Sequence, residues 1–303
     1  MKSAIVSGAT GLVGSAVIKE LAYKGVKVLA LGRQRISIAA VENNFGSKVT
    51  YLNIRLDEIS SLPERIRKET SFQVTDCVFF HFAWSGERRL TDGPLSLQLS
   101  NAANSADVIE LAKEIGCKKV VTAGTIQETR LELFLNGEAS ESSPISQQDY
   151  ALAKLAARDM SKITAYLQKI DFVHTRMSVP LDFSLVTGTY IAQTLQAILL
   201  SEPYSEPASN EVVDIVSTED VAKAYYLLGS SEVASGDFYV GSSRPMRIPN
   251  LFTQVEDAVA GRAVEFAIEE TALTLFDPSP LKEAVGFSAS KRLEDILRDW
   301  GNR

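Results

Sequence analysis

Short apolar runs recur along the first part of the chain, and between them apolar residues fall three and four apart. The runs are Ala4 to Ser7, Val26 to Leu31, Val49 to Asn53, Cys77 to Phe82, Lys119 to Ala123 and Phe172 to Met177. Leu12 to Tyr23, Leu95 to Ile115 and Tyr150 to Gln168 carry the helical spacing, and Gly25, Gly116 and Ile170-Asp171 punctuate the returns. This alternation predicts βαβ units, and therefore an α/β fold with a doubly wound parallel sheet.

After Pro180 the rhythm changes. A helix is expected over Tyr190 to Leu200, a Ser/Pro-rich loop from Ser201 to Asn210, a strand over Glu211 to Val216, and helices near Thr218 to Leu228 and Ile248 to Ala260. The pattern predicts a dinucleotide-binding domain over 1–180, to which a strand and helix return from about 211–230. A smaller substrate-binding lobe follows over 181–303. That lobe is expected to lie over the sheet's carboxyl edge, and the loop at 201–210 to be a mobile flap rather than an interdomain linker.

The 303 residues, 45% of them hydrophobic, suffice for one large core, which excludes a disordered or fibrous class. A formal net charge of −7 argues against nucleic acid or an anionic membrane as partner, since both would be repelled. No apolar run approaches the ~18 residues a membrane span needs. Cys77 and Cys117 sit in apolar contexts and read as reduced packing residues, so the expected compartment is the cytoplasm. No metal site is expected.

The first predicted strand runs straight into Gly8-Ala-Thr10-Gly11-Leu12-Val13-Gly14 and then into a helix. In a dinucleotide-binding turn one glycine permits the tight turn, a second lets backbone approach pyrophosphate, and a third lets helix and strand pack closely. The helix N-terminus then offers N–H groups to the anion. Gly8, Gly11 and Gly14 fit those roles, with Thr10, Leu12 and Val13 in the same turn. The second strand ends in Gly32-Arg33-Gln34-Arg35, with glycine where an acidic residue would bind the ribose 2′-hydroxyl of NAD. A guanidinium fork suits a 2′-phosphate, so Arg33 and Arg35 favour NADP(H) over NAD(H). Asn53 and Ile54 are placed at the adenine edge, and Phe82, Ala83 and Trp84 along the path to the nicotinamide. His81 reads as a packed, hydrogen-bonded strand residue.

Tyr150 and Lys154, four apart on a predicted helix, share a face. A nearby cation favours tyrosinate and is expected to lower the phenol's pKa, allowing Tyr150 to exchange a proton with a carbonyl or alcohol oxygen while hydride moves. Thr125, at a strand's carboxyl end, would hold that oxygen.

These residues, together with His81-x-Ala83, Asn101, Arg176 and Val213-Asp-Ile-Val-Ser-Thr-Glu-Asp220-Val-Ala, resemble the extended short-chain dehydrogenases. That group holds NAD(P)-dependent sugar-nucleotide epimerases, dehydratases and ketoreductases, and the resemblance covers nearly the whole chain. It implies a catalytic set of Thr125, Tyr150 and Lys154, with Asn101 supporting the active-site backbone and water. It also implies cofactor contacts from Tyr150 and Lys154, a substrate-selecting C-terminal lobe, and a homodimer built on a four-helix interface. Asp214 and Asp220 resemble the family's acidic positions, with a structural role expected.

Two departures bear on substrate. The family's Tyr-Gly after the catalytic Thr segment is Thr129-Arg130 here, and Met177-Ser-Val-Pro180 lacks the usual asparagine. The expected activity is an NADP(H)-dependent oxidation or reduction at a keto or hydroxyl group of a sugar or nucleotide-sugar, as ketoreductase or epimerase. A reductase of non-sugar carbonyls and a non-catalytic NADP-sensing regulator are the alternatives.

Overall fold

The structure is a computed structural model and describes residues 1–87, 91–138, 147–182, 185, 189–207, 209–233, 235–264 and 266–301. Along the chain run β1 (Ser3–Ser7), α1 (Leu12–Tyr23), β2 (Lys27–Gly32), α2 (Ile38–Phe45), β3 (Val49–Asn53), α3 (Leu62–Glu69), β4 (Cys77–His81) and α4 (Leu95–Ile115). They are followed by β5 (Lys119–Ala123), α5 (Ile126–Leu135), α6 (Gln148–Gln168), β6 (Asp171–Arg176), β7 (Val179–Leu181) and α7 (Tyr190–Leu199). The remainder is β8 (Val212–Val213), β9 (Ile215–Ser217), α8 (Thr218–Ser230), β10 (Ser235–Tyr239), β11 (Met246–Arg247), α9 (Ile248–Val259), α10 (Ser279–Val285) and α11 (Leu293–Gly301).

Seven strands form a parallel sheet in the order β10-β6-β5-β4-β1-β2-β3. Side chains alternate across it with period two. Ala4, Val6, Val28, Ala30, Val78 and Phe80 pack on one face with α1 and α8, through Val17, Ile18, Leu21, Val221 and Leu228. Ile5, Leu29, Leu31, Cys77 and Phe79 pack on the other with α3 and α4, through Leu62, Ile66, Val108 and Ile109. The expected doubly wound sheet is therefore present, and its strand order reverses between β1 and β4, where crevices open at the carboxyl ends of such sheets.

Among the differences from expectation are three in the C-terminal part of the chain. The strand expected over Glu211 to Val216 is two strands, β8 and β9, broken at Asp214. That carboxylate is fully buried and accepts from Tyr239 Oη (2.8 Å), Ser242 N (2.8 Å), Ser243 N (3.0 Å) and Arg244 N (3.1 Å), so it ties the break to the turn after β10. The seventh strand, Ser235-Gly-Asp-Phe-Tyr239, has no apolar run to announce it. It forms because Ser235 to Tyr239 pair with Phe172 to Arg176 at the sheet's edge. Position 208 of the expected flap lies outside the described residues, and what is described of that loop is fastened. Tyr190 Oη donates to Ser205 O (2.9 Å), Tyr204 Oη to Glu256 Oε1 (3.0 Å), and the Tyr204 ring meets Phe252 edge-on.

A further apolar cluster of Leu181, Ile191, Leu195, Val213, Ile215, Leu251, Phe252 and Val255 lies in the C-terminal part. Asp220, fully buried in the first turn of α8, accepts from Ser290 N (3.0 Å) and Lys291 N (2.9 Å), while Ser217 Oγ caps the helix by accepting from Asp220 N (3.0 Å). Both aspartates thus have structural partners. Cys77 and Cys117 are buried free thiols. Among the described residues no helix is long and apolar enough to cross a membrane, and no three His, Cys, Asp or Glu side chains gather as metal ligands would.

Candidate active site

The turn from β1 into α1 is built on glycine for steric reasons. Gly8 has φ +72°, and a Cβ there would stand 2.9 Å from Ala83 N and from Phe82 C. At Gly14 a Cβ would stand 2.2 Å from Gly8 O, so the first turn of α1 lies directly on the loop. Gly11 is the N-cap of α1 and brings no side chain to bond the free N–H groups of the first turn. An uncapped helix N-terminus over a glycine-lined floor suits an anion, and a pyrophosphate fits it.

Across the switch point, β1 and β4 are joined at their carboxyl ends by Ser7 and His81. Ser7 Oγ accepts from Phe82 N (3.2 Å) and Ala83 N (3.3 Å), so its proton goes to His81 Nδ1 at 2.8 Å. The other nitrogen, Nε2, then carries hydrogen toward Ser105 Oγ (3.3 Å), whose own proton goes to Asn101 O (2.8 Å). Burial holds His81 down to about 3, with the Lys154 charge adding to the shift, so the ring is neutral. Asn101 fixes the next residues: its Oδ1 accepts from Ser85 N and its Nδ2 donates to Ser85 O, both at 2.8 Å. The loop carrying Phe82, Ala83 and Trp84 is thus held at three points.

The cofactor-side expectations at β2 and β3 acquire a geometry. Tyr51 Oη donates to Gln34 O (2.8 Å), and a Cβ at Gly32 would stand 2.3 Å from the Tyr51 hydroxyl oxygen. An acidic side chain at 32 has no room while Tyr51 is there. Asn53 Nδ2 and Ile54 N both donate to Gly32 O, at 3.2 Å and 2.9 Å, which fixes the end of β2. Arg33 and Arg35 are exposed there. Ile54 is 4% exposed and packs in the core beneath.

Thr125 ends the turn after β5 as the N-cap of α5. Its Oγ1 accepts from Gln127 N (3.3 Å), and its own N–H donates to Glu128 Oε1 (2.8 Å). Glu128 is fully buried, and its Oε2 lies 2.8 Å from His174 Nε2 and 3.6 Å from Arg176 Nε. Burial pushes this carboxyl up, yet the His174 and Arg176 charges and the Thr125 N–H together hold it below the usual range. Gly124 is required here, because a Cβ would stand 2.2 Å from Glu128 Oε1 and 2.4 Å from His174 Nε2. Nothing in the sequence pattern had singled out Glu128 or His174.

Lys154 reaches from α6 to the same place. Its Nζ donates to Ala123 O (2.9 Å), stands 3.7 Å from the Trp84 ring centroid and 5.8 Å from that of Tyr150. Burial lowers its pKa to about 8, with Glu128 opposing the shift. Tyr150 departs from expectation: burial, and then the Glu128 charge, push its phenol above the ordinary value rather than below it. Desolvation of the phenol is the larger cause, and the buried Glu128 carboxylate adds to it. Trp84, expected along the cofactor path, has its indole tucked under Lys154 and only 8% exposed.

A parallel sheet with a glycine turn at its switch point, and a lysine seated on the carboxyl end of β5, has the form of a nicotinamide-dinucleotide enzyme of the Rossmann type. More narrowly, the chain belongs to the NAD dependent epimerase/dehydratase family, whose sequence model matches residues 4–241. It is similar in structure to UDP-N-acetylglucosamine 4-epimerase from Bacillus cereus (TM-score 0.72, 18% identity, covering 100% of this chain and 96% of that one). It is also similar to the Bordetella bronchiseptica enzyme WbmF in complex with NAD+ and UDP (0.74, 19%, 99% and 92%). A third similar structure is Thermus thermophilus UDP-glucose 4-epimerase in complex with NAD (0.71, 18%, 99% and 98%). No curated protein sequence matches the chain.

Proposed function

We propose that this enzyme is an NADP(H)-dependent oxidoreductase acting on a keto or hydroxyl group of a sugar or nucleotide-sugar, with Tyr150 exchanging the proton. What supports this reading is Lys154 Nζ seated on Ala123 O, two residues before Thr125, with Tyr150 packed on Trp84, and the glycine turn into α1, whose Gly8 lies against Phe82 and Ala83 of the same loop. Bound there, the nicotinamide supplies or accepts a hydride. Tyr150, protonated at neutral pH, gives its proton to a carbonyl oxygen. Thr125 Oγ1 already accepts the Gln127 N–H, so its own proton is left to donate to that oxygen and orient it. Lys154 supplies positive charge beside the phenol as the proton leaves.

The WbmF and Thermus thermophilus structures hold NAD, whereas the Gly32-Arg33 end of β2 and the Tyr51 ring above it favour NADP(H). The names of the similar structures support a UDP-linked substrate. One observation favours a non-sugar carbonyl instead: Thr129 and Arg130, which replace the family's Tyr-Gly, are taken up internally. Thr129 Oγ1 accepts from Arg176 Nη1 (2.8 Å), and fully buried Arg130 pairs with Glu211 and donates to Val212 O. A cytoplasmic homodimer through α4 and α6 completes the reading.

The test is NADPH oxidation with panels of nucleotide-sugars and simple ketones. Tyr150→Phe is expected to lose at least a thousand-fold in turnover, roughly the upper range of general acid catalysis, while NADPH affinity stays within about two-fold. Equal turnover by variant and parent would overturn the assignment.

A further inference from the structure

Trp84 lies in the loop after β4 with its indole turned inward, into a slot left by Ala102 of α4 and by Ala153 and Ala157 of α6. The ring is locked at its polar end, where Nε1 donates to Gln98 Oε1 (2.8 Å) and Gln98 Nε2 donates in turn to Asp92 O (2.8 Å). So fixed, it presents its face to Lys154 Nζ at 3.7 Å and its edge to Tyr150, with centroids 5.8 Å apart at 84°.

A buried ammonium ordinarily has a carboxylate beside it. Among the described residues Lys154 forms no salt bridge, and the nearby carboxylate, Glu128, is committed to Thr125 N–H and His174. The ammonium has one backbone acceptor, Ala123 O, and the π-face of the indole. Cation–π attraction is strongest for tryptophan and for a desolvated cation, and both conditions hold here.

We propose that Trp84 is the positioning residue for Lys154: its ring face holds the ammonium beside Tyr150 in the place a carboxylate would otherwise take. The part of this proposal that concerns turnover rests on the function proposed above; the contact itself does not. The charged and titratable groups around the ammonium are His81 on β4, Glu128 on α5, His174 on β6, and Tyr150 and Arg158 on α6 itself. His81 is neutral, Glu128 ionised and Tyr150 protonated near pH 8, so none of the three changes charge where Lys154 does.

The chain has two tryptophans, so Trp300→Phe leaves Trp84 as sole emitter. In that background, ligand-free protein titrated from about pH 6 to 10 is expected to change emission with one midpoint near the value of about 8 held by Lys154, and Lys154→Met is expected to abolish the step. A flat titration, or the same step persisting in Lys154→Met, would overturn the contact. In NADPH-dependent turnover, Trp84→Leu removes the stabiliser of the charged amine. The alkaline limb of kcat/KM should then move down by about one pH unit, and less in Trp84→Phe, which keeps an aromatic face. A loss of rate uniform in pH in both variants would reduce Trp84 to packing and overturn the positioning role. Absence of turnover in the parent would refute the enzyme reading alone, because the fluorescence step is read without substrate or cofactor.

Discussion

Lys154 is held charged in a place that penalises charge, and this has a thermodynamic consequence in the ligand-free protein. A lysine whose pKa falls from 10.5 unfolded to about 8 folded costs stability at neutral pH, on the order of 3 kcal/mol. Between about pH 8 and 10.5 the unfolded chain holds the proton that the folded one has released, so stability should rise with pH across that window. Lys154→Met is therefore expected to stabilise the ligand-free protein by about 2 kcal/mol at pH 7, after allowing for the lost hydrogen bond to Ala123. The gain should vanish above about pH 10.5, and urea unfolding at several pH values measures it. A variant less stable than the parent at pH 7 would show that the charge is better compensated than its contacts suggest. The pairing of Tyr150 with Lys154 was legible in the sequence because it rests on helical spacing alone. The direction of the Tyr150 shift was not, because it depends on Glu128 and on burial, which arrive from other elements.

At the scale of elements, legibility followed how much of the information was local. The α1 and α4 helices have the bounds expected, since periodic apolar spacing and terminal glycines mark them. The short strand β10 and the helix α5 went unread. The former is polar and takes its conformation from β6, and α5 is buried on several sides, so it shows no single apolar face. The glycines at the strand end were read as a tight turn packed against the first helix, and the clashes a Cβ would make at Gly8 and Gly14 show why the turn needs them. The end of β2 supplies the prediction that belongs here. With Gly32 covered by Tyr51 and Arg33 exposed beside it, Arg33→Ala should weaken NADPH binding by roughly ten- to a hundred-fold and NADH binding by less than about two-fold, the range of a lost charge-assisted phosphate contact. Calorimetric titration with both dinucleotides measures this; equal losses would remove the 2′-phosphate role.

For the whole molecule, the sheet brings residues far apart in the chain into contact at its strand ends, Ser7 with His81 and Thr122 with His174, while α4 and α6 pack together. Those helices leave apolar side chains uncovered: Leu95 and Leu99 on α4, and Leu152, Met160, Ile163 and Leu167 on one side of α6, with Ile163 63% and Leu167 68% exposed. The proposed homodimer would bury this stripe. Sedimentation is expected to show a dimer for the parent and a monomer for Ile163→Glu, which places a charge in the seam without touching Lys154 or Tyr150. A monomeric parent at micromolar concentration would remove the interface from the proposal.

The alternation of the first six sheet strands with helices, the glycine turn, and the spacing of Tyr150 and Lys154 were determined by the sequence itself, because periodicity, backbone freedom at glycine and helical geometry are local properties. Tertiary structure alone decided that Trp84 rather than a carboxylate seats the ammonium, that Glu128 and His174 stand behind the Thr125 turn, and that a polar segment closes the sheet. Each of these depends on which distant side chains are desolvated together, and desolvation is settled only once the chain has packed.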